Sequence, residues 1–157
     1  MSVFLATDIT HQILTGKTTK NAKVTNSQGL CSFGIMPTLS SDFPQGNIIL
    51  KLGDRGFFCQ REKKLKGAFG LRHVWDRHAV EIGASSASDV VIFIEQVITQ
   101  GAEIIFDKKK SPNKPLIVES STGMVVVELL NIAGVQVYSI VTAYTRKSHP
   151  GVLLGTL

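Results

Sequence analysis

The stretch Met124-Val125-Val126-Val127-Glu128-Leu129-Leu130-Asn131-Ile132-Ala133-Gly134-Val135-Gln136-Val137-Tyr138-Ser139-Ile140-Val141-Thr142-Ala143-Tyr144 decides the fold. Two runs rich in β-branched and aromatic residues, Met124–Asn131 and Val135–Tyr144, flank the turn signal Ala133-Gly134 and predict a β-hairpin. Shorter strand patterns lie on either side, at Glu103–Phe106, at Leu116–Glu119 and, as a last edge strand, at Val152–Leu154. Ahead of them stands a clear helix. Ser86 with Asp89 three residues on resembles a capping box, Val90, Phe93, Ile94, Val97 and Ile98 recur at helical spacing, and Gly101 suits the C′ position. Helices followed by consecutive antiparallel strands predict an α+β fold rather than a wound βαβ sheet.

Working back toward the N-terminus, Gly70–Ala79 reads as a helix. Phe57–Gln60 starts a strand after the turn Gly53-Asp54-Arg55-Gly56, and Gly46–Leu52 reads as a strand before it. Thr18–Gly29 is polar and reads as loop. Asp8 to Thr15 reads as a short helix capped by Thr7 or Asp8 and closed by Gly16.

With 43% hydrophobic and 18% charged residues over 157 positions, the chain is a folded domain rather than a disordered segment. No apolar run is long enough to span a bilayer, so no membrane insertion is expected. The first residues, Met1 to Ala6, lack the basic region of a signal peptide, so export would need a carrier outside the sequence. Cys31 and Cys59 have no metal-site partners and read as reduced, partly buried thiols.

The net charge of +5 is unevenly spread. Residues 1–50 carry a net +1, residues 51–78 a net +5, and residues 79–157 a net −1. A basic patch concentrated in one segment reads either as a polyanion footprint or as an ordinary solvated basic surface. Within it lies Gly70-Leu71-Arg72-His73-Val74-Trp75-Asp76-Arg77-His78. On a helix His73 and Arg77, four apart, share a face, and Arg72 and Asp76 pair in the same way. Imidazole exchanges protons near neutral pH and guanidinium grips phosphate, so the segment suggests phosphodiester chemistry. His73 and His78 lack metal-protease spacing, and no metal or other cofactor is expected. Trp75 reads as a core anchor rather than a stacking platform.

A second polar set lies in Val141–His149. Strand alternation puts Thr142, Tyr144 and Arg146 on one face and Ala143 and Thr145 on the other. Such a row could bind phosphate and donate protons. It could equally be the solvent face of an ordinary sheet. The loop Lys108–Lys110 is expected in solvent, as a secondary contact to a polyanion backbone.

Together, the His-Arg segment Gly70–His78, the capped helix after it and strands closing with Val141-Thr142-Ala143-Tyr144 resemble the barnase–EndoU–colicin–RelE group of ribonucleases. The nearest subset is the nuclease domains of contact-dependent inhibition and polymorphic toxin systems and related phage nucleases. The resemblance runs from about Gly46 to Leu157. It implies one nuclease toxin domain over residues 1–157, with 46–157 the catalytic core and 1–45 an N-terminal extension of unassigned role. The implied fold is a helical N-terminal part packed on a twisted antiparallel sheet whose face is the RNA cleft. The implied activity is metal-independent endonuclease cleavage of RNA, with tRNA the expected target. The 2′-hydroxyl attacks the phosphate and leaves a 2′,3′-cyclic phosphate.

Carried onto this chain, the resemblance makes His73, His78, Arg77, Thr142 and Tyr144 the catalytic candidates, with the base and acid roles of the two histidines open. Lys51, Lys66, Arg72, Arg146 and Lys147 are the candidates for holding substrate. The expected partners are RNA and a cognate immunity protein, and the expected state is a monomer. As a toxin it would be secreted or delivered by the producing bacterium and act in the cytoplasm of the target cell. Two other functions fit the same residues: a phage or mobile-element ribonuclease, and a nucleic-acid-binding module without catalysis.

Overall fold

The computed structural model describes residues 2–107, 115–146 and 148–157. The Lys108–Lys110 loop and Lys147 therefore lie outside the described residues. The chain is α+β, and among the described residues it has three α-helices and one large nine-stranded sheet. The strands are β1 (Val3–Phe4), β2 (Lys23–Val24), β3 (Ser32–Met36), β4 (Gly46–Lys51), β5 (Phe57–Cys59), β6 (Lys64–Lys66), β7 (Glu103–Phe106), β8 (Leu116–Glu119), β9 (Met124–Ile132), β10 (Val135–Tyr144) and β11 (Val152–Thr156). The helices are α1 (His11–Leu14), α2 (Gly70–Ile82) and α3 (Ala87–Val97). The sheet order is β1-β2-β4-β10-β9-β8-β7-β11, with β3 also on β4, while β5 and β6 form a separate hairpin.

From β7 to β10 the sheet is the antiparallel meander expected from the sequence. The sheet as a whole is mixed, however. β10 pairs with β4 in parallel, Val137 beside Asn47 and Ser139 beside Ile49, and β1 pairs with β2 in parallel. Parallel neighbours need a long crossover, and here everything from Gly53 to β9 supplies it. Local patterns do not reveal such a pairing, because it joins residues about ninety positions apart.

Residues 2–45, set apart in the sequence reading, are built into this architecture. They contribute β3 to β4, and they bury Ala6, Ile9, Leu14, Ala22, Val24, Phe33, Met36 and Phe43 in the main core. The predicted helix over Asp8–Thr15 is shorter than its pattern. A 3-10 turn at Ala6–Asp8 is followed by α1, whose cap is Thr10, with its hydroxyl accepting from the Ile13 N–H. The cap of α3 is Ser86, as expected, accepting from the Asp89 N–H at 3.3 Å. This helix stops at Val97, so Gly101 lies in the following turn rather than at C′. Trp75 packs against the main core and meets His11 edge-on at 6.5 Å. Both cysteines are free thiols of intermediate exposure.

α2 is locked to the end of β4. Gly53 and Gly70 both have positive φ, and a Cβ on Gly53 would lie 1.9 Å from the Phe69 carbonyl oxygen. Only glycine permits backbones this close in this conformation. Asp54 and Phe69 then exchange two backbone hydrogen bonds at 3.0 Å, and the Arg72 N–H donates to the Leu52 carbonyl.

Arg72 corrects one expectation. It is 1% exposed, and its guanidinium donates inward to three backbone carbonyls. Nε reaches Ile13 at 2.9 Å, and Nη1 reaches Thr18 at 2.7 Å and Gly53 at 3.1 Å. With these donors spent on the chain itself, Arg72 does not hold substrate. It binds the α1 end, the following loop and the β4–α2 turn together. Arg72→Met, which keeps the apolar stem, should strand the Gly53 carbonyl, while Ile13 keeps the Gly16 N–H and Thr18 keeps the Thr19 hydroxyl. We expect about 1–3 kcal/mol lower stability from urea unfolding, the cost of one buried carbonyl left unpaired. An unchanged midpoint would show that water replaces the guanidinium without penalty.

Candidate functional site

β4 and β10 run in parallel, so their C-terminal ends lie on the same side of the sheet. α2 starts at the β4 end, where Arg72 N–H meets Leu52, and finishes at the β10 end, where Glu81 meets Thr145. The helix thus crosses the ends of both strands. Its apolar residues Leu71, Val74, Trp75 and Ile82 pack toward the main core, while His73, His78 and Glu81 gather at the end of β10.

β10 reaches that point through a bulge. Ile140 opposes Val127 and Thr142 opposes Val126, so Val141 is an extra residue on its strand. Before the bulge Tyr138 and Ile140 face the helix-covered core, and after it Ala143 does. Without the extra residue, Thr142 and Tyr144 would continue the core-facing series. With it, Tyr144 turns to the opposite face and packs on Ile105, Ile117 and Met124. The predicted sharing of one face by Thr142 and Tyr144 follows, and the face is the one away from the main core.

Three rings meet here. The His73 and His78 ring centroids are 5.8 Å apart, edge to face, and the His78 and Tyr144 centroids are 5.4 Å apart. His78 Nδ1 lies 2.5 Å from Glu81 Oε1. The other carboxylate oxygen of Glu81 accepts from the Thr145 N–H at 3.1 Å and from its hydroxyl at 2.9 Å. Sequence reasoning missed both Glu81 and Thr145. The i,i+3 spacing of His78 and Glu81 was available as a signal. Thr145 was assigned away from the site by alternation, but it lies one residue past β10, where strand geometry no longer fixes its direction.

The electrostatics separate the two histidines. Burial, reinforced by the positive fields of His78 and Arg77 and opposed by Asp76, holds His73 down to about 4. Its ring is therefore neutral near pH 7. Burial pushes the Glu81 carboxyl up, but hydrogen bonds from His78 and Thr145 outweigh it, so Glu81 sits below its ordinary value as a carboxylate. A carboxylate on Nδ1 makes that nitrogen the donor and leaves Nε2 of a neutral His78 as the acceptor. Burial raises the Tyr144 phenol, with Arg146 pulling down and Glu81 pushing up, so the phenol keeps its proton. Thr142 Oγ1 and His73 Nδ1 are buried and make no hydrogen bond among the described residues.

The remaining candidates divide. Arg77 is exposed, 3.6 Å from Asp76, and its field reaches His73. Arg146 is exposed beside Tyr144. Alternation puts Lys51 on the face opposite Leu50 and Leu52, where it influences Glu128, but its ammonium already contacts the Phe69 ring and Asn21 Oδ1. Lys66 lies on the separate hairpin, paired with Glu62, and not with the histidines. Lys147 lies outside the described residues. No three His, Cys, Asp or Glu side chains converge among the described residues in a way that could hold a metal ion. No helix of the described residues is long and apolar enough to cross a membrane.

Because His73 is depressed in the folded chain, its protonation favours the unfolded chain. Its effect is absent above about pH 6.5, its ordinary value, and grows as pH falls toward about 4. The urea midpoint should therefore fall more steeply with acid for the native chain than for His73→Gln across that window. Parallel curves for the two would show that His73 titrates normally.

Compared with known proteins, the chain matches no family model, and neither the curated proteins nor the solved structures give a significant match.

Proposed function

We propose that this chain is a metal-independent endoribonuclease that cuts RNA by transphosphorylation, with His78 as its general base. One observation carries the reading. Tyr144, His78 and His73 form a contiguous row of rings with Glu81 fixed on His78 Nδ1. Attack by a 2′-hydroxyl needs a base, departure of the 5′-oxygen needs an acid, and the phosphorane needs positive charge.

In this scheme Nε2 of His78 takes the proton from the 2′-hydroxyl, with Glu81 stabilising the imidazolium that results. The 2′-oxygen forms its bond to phosphorus as the bond to the 5′-oxygen breaks. The Tyr144 phenol gives its proton to that leaving oxygen. Arg77 and Arg146 hold the phosphate charge. His73, neutral beside His78, fits a hydrogen-bonding role better than that of a base, since its affinity for a proton is low.

The choice of tRNA, delivery from a producing bacterium into a target cytoplasm, and neutralisation by an immunity protein are part of the same proposal. They rest on the sequence resemblance.

Single-turnover cleavage of RNA in excess chelator, with mapping of product ends, tests the chemistry. We expect 2′,3′-cyclic phosphate ends. His78→Ala and Tyr144→Phe should each lower the rate about 10²–10⁴-fold. Glu81→Gln should produce a smaller loss, since the ring is misoriented rather than removed. Near-native rates for both His78→Ala and Tyr144→Phe would remove the ring row from the chemistry. Activity lost in chelator and restored by a divalent ion would overturn the metal-free scheme. Tight, salt-sensitive binding that leaves RNA intact would point to a binding module instead.

A further inference from the structure

The β5–β6 hairpin plays no part in the scheme above, and two of its features have no structural use. Phe57 and Phe58 are 63% and 52% exposed. Neither belongs to the hydrophobic core. Around them residues 55–66 carry Arg55, Arg61, Lys63, Lys64 and Lys66 against the one acid Glu62. The chain's excess positive charge is thus concentrated on the element that presents its unburied aromatic rings.

The hairpin does not float free. Its base is clamped by the paired backbone bonds between Asp54 and Phe69, directly before α2. Asp54 Oδ1 also accepts from the Gly56 N–H at 2.8 Å, fixing the turn into β5. Between hairpin and helix runs an open groove of about 250 Å³, in which Arg55, Lys17 and Arg77 outnumber the carboxylates Asp54 and Asp76 beside Phe57 and Phe58. Arg77 links this groove to the histidine row, since it lies one helical turn from His73 on α2.

We infer that the hairpin and groove are a binding site for single-stranded RNA, in which bases stack on Phe57 or Phe58 and phosphates lie against Arg55 and Arg77. Sequence-tolerant single-strand sites combine these two elements, a basic track along the backbone and aromatic faces for the bases. A duplex hides its base faces, and phosphate contacts alone would leave two exposed phenylalanines unexplained. Phe58 and its cross-strand neighbour Leu65 both line the groove, while Phe57, opposite Lys66, lies at its edge with its ring turned to the other face of the ribbon. The inference deepens the ribonuclease reading by naming the conformation of its substrate, and rests on that reading only for the choice of RNA.

The test uses the full chain and a fluorescent 2′-O-methyl oligoribonucleotide of about ten nucleotides, a typical span for such a site, which has no free 2′-hydroxyl to react. Fluorescence anisotropy should show Phe57→Ala or Phe58→Ala weakening binding roughly 5- to 150-fold with an unchanged salt slope. Arg55→Gln should weaken binding and flatten the salt slope by about one phosphate contact. Circular dichroism and thermal unfolding of each variant should match the native chain, because the substituted rings are outside the core. Three results would overturn the inference: native affinity in both phenylalanine variants, equal affinity for an abasic strand of the same length, or preference for a duplex. Phenylalanine-dependent binding to phosphatidylglycerol vesicles, with none to the oligomer, would make the patch a membrane contact instead. Oligomer binding also separates the two proposals. A chain that binds in this way but cleaves nothing refutes the ribonuclease reading alone. A chain that cleaves with both phenylalanine variants binding normally refutes the hairpin site alone.

Discussion

The rest of the molecule depends on one buried guanidinium. Arg72 sits in the first turn of α2 and satisfies the carbonyls of Ile13, Thr18 and Gly53 at once. These three groups come from α1, from the loop after it and from the turn that ends β4. Ile13 also accepts from the Gly16 N–H and Thr18 from the Thr19 hydroxyl, so the guanidinium adds a second donor to each. A planar donor with several fixed N–H groups can serve all three, which a lysine could not do with the same geometry. The charge is tolerated because it is hydrogen-bonded on every side that matters, in keeping with the rule that buried charges must be paired or bonded. In return the N-terminal segment, β4 and α2 become one unit.

Once α2 is fixed at the end of β4, the parallel partnership of β4 with β10 determines what it meets at its other end. The helix crosses both strand ends, and the Val141 bulge turns Tyr144 away from the core toward His78. Glu81 closes the arrangement by bonding both His78 and the residue just past β10. A contact chain from helix to strand is thereby assembled from two segments some sixty residues apart.

Environment differentiates the rings. Burial, reinforced by His78 at 5.8 Å and by Arg77, keeps the His73 ring neutral near pH 7. The ring on Glu81, His78, keeps a defined donor and a defined acceptor. Both duties fall to residues that look equivalent in the sequence, and environment alone makes them different.

The sequence by itself determined the α+β class, the β7–β10 meander, the N-cap and buried face of the α3 helix, and the segment where chemistry-bearing residues are concentrated. These are local properties: periodicity, turn residues and charge density act over a few residues and leave a readable pattern. His73, His78 and Tyr144 were all visible in that way. Only the tertiary structure decided that Arg72 faces inward while Arg77, five positions further along α2, faces outward. It also decided the parallel β4–β10 pairing, the incorporation of residues 2–45 into the sheet and core, and the bulge that sets the direction of Tyr144. Each depends on which distant segment arrives as partner. A hydrogen-bond ladder, a buried donor or a one-residue slip in register is fixed by that partner, not by the neighbours along the chain.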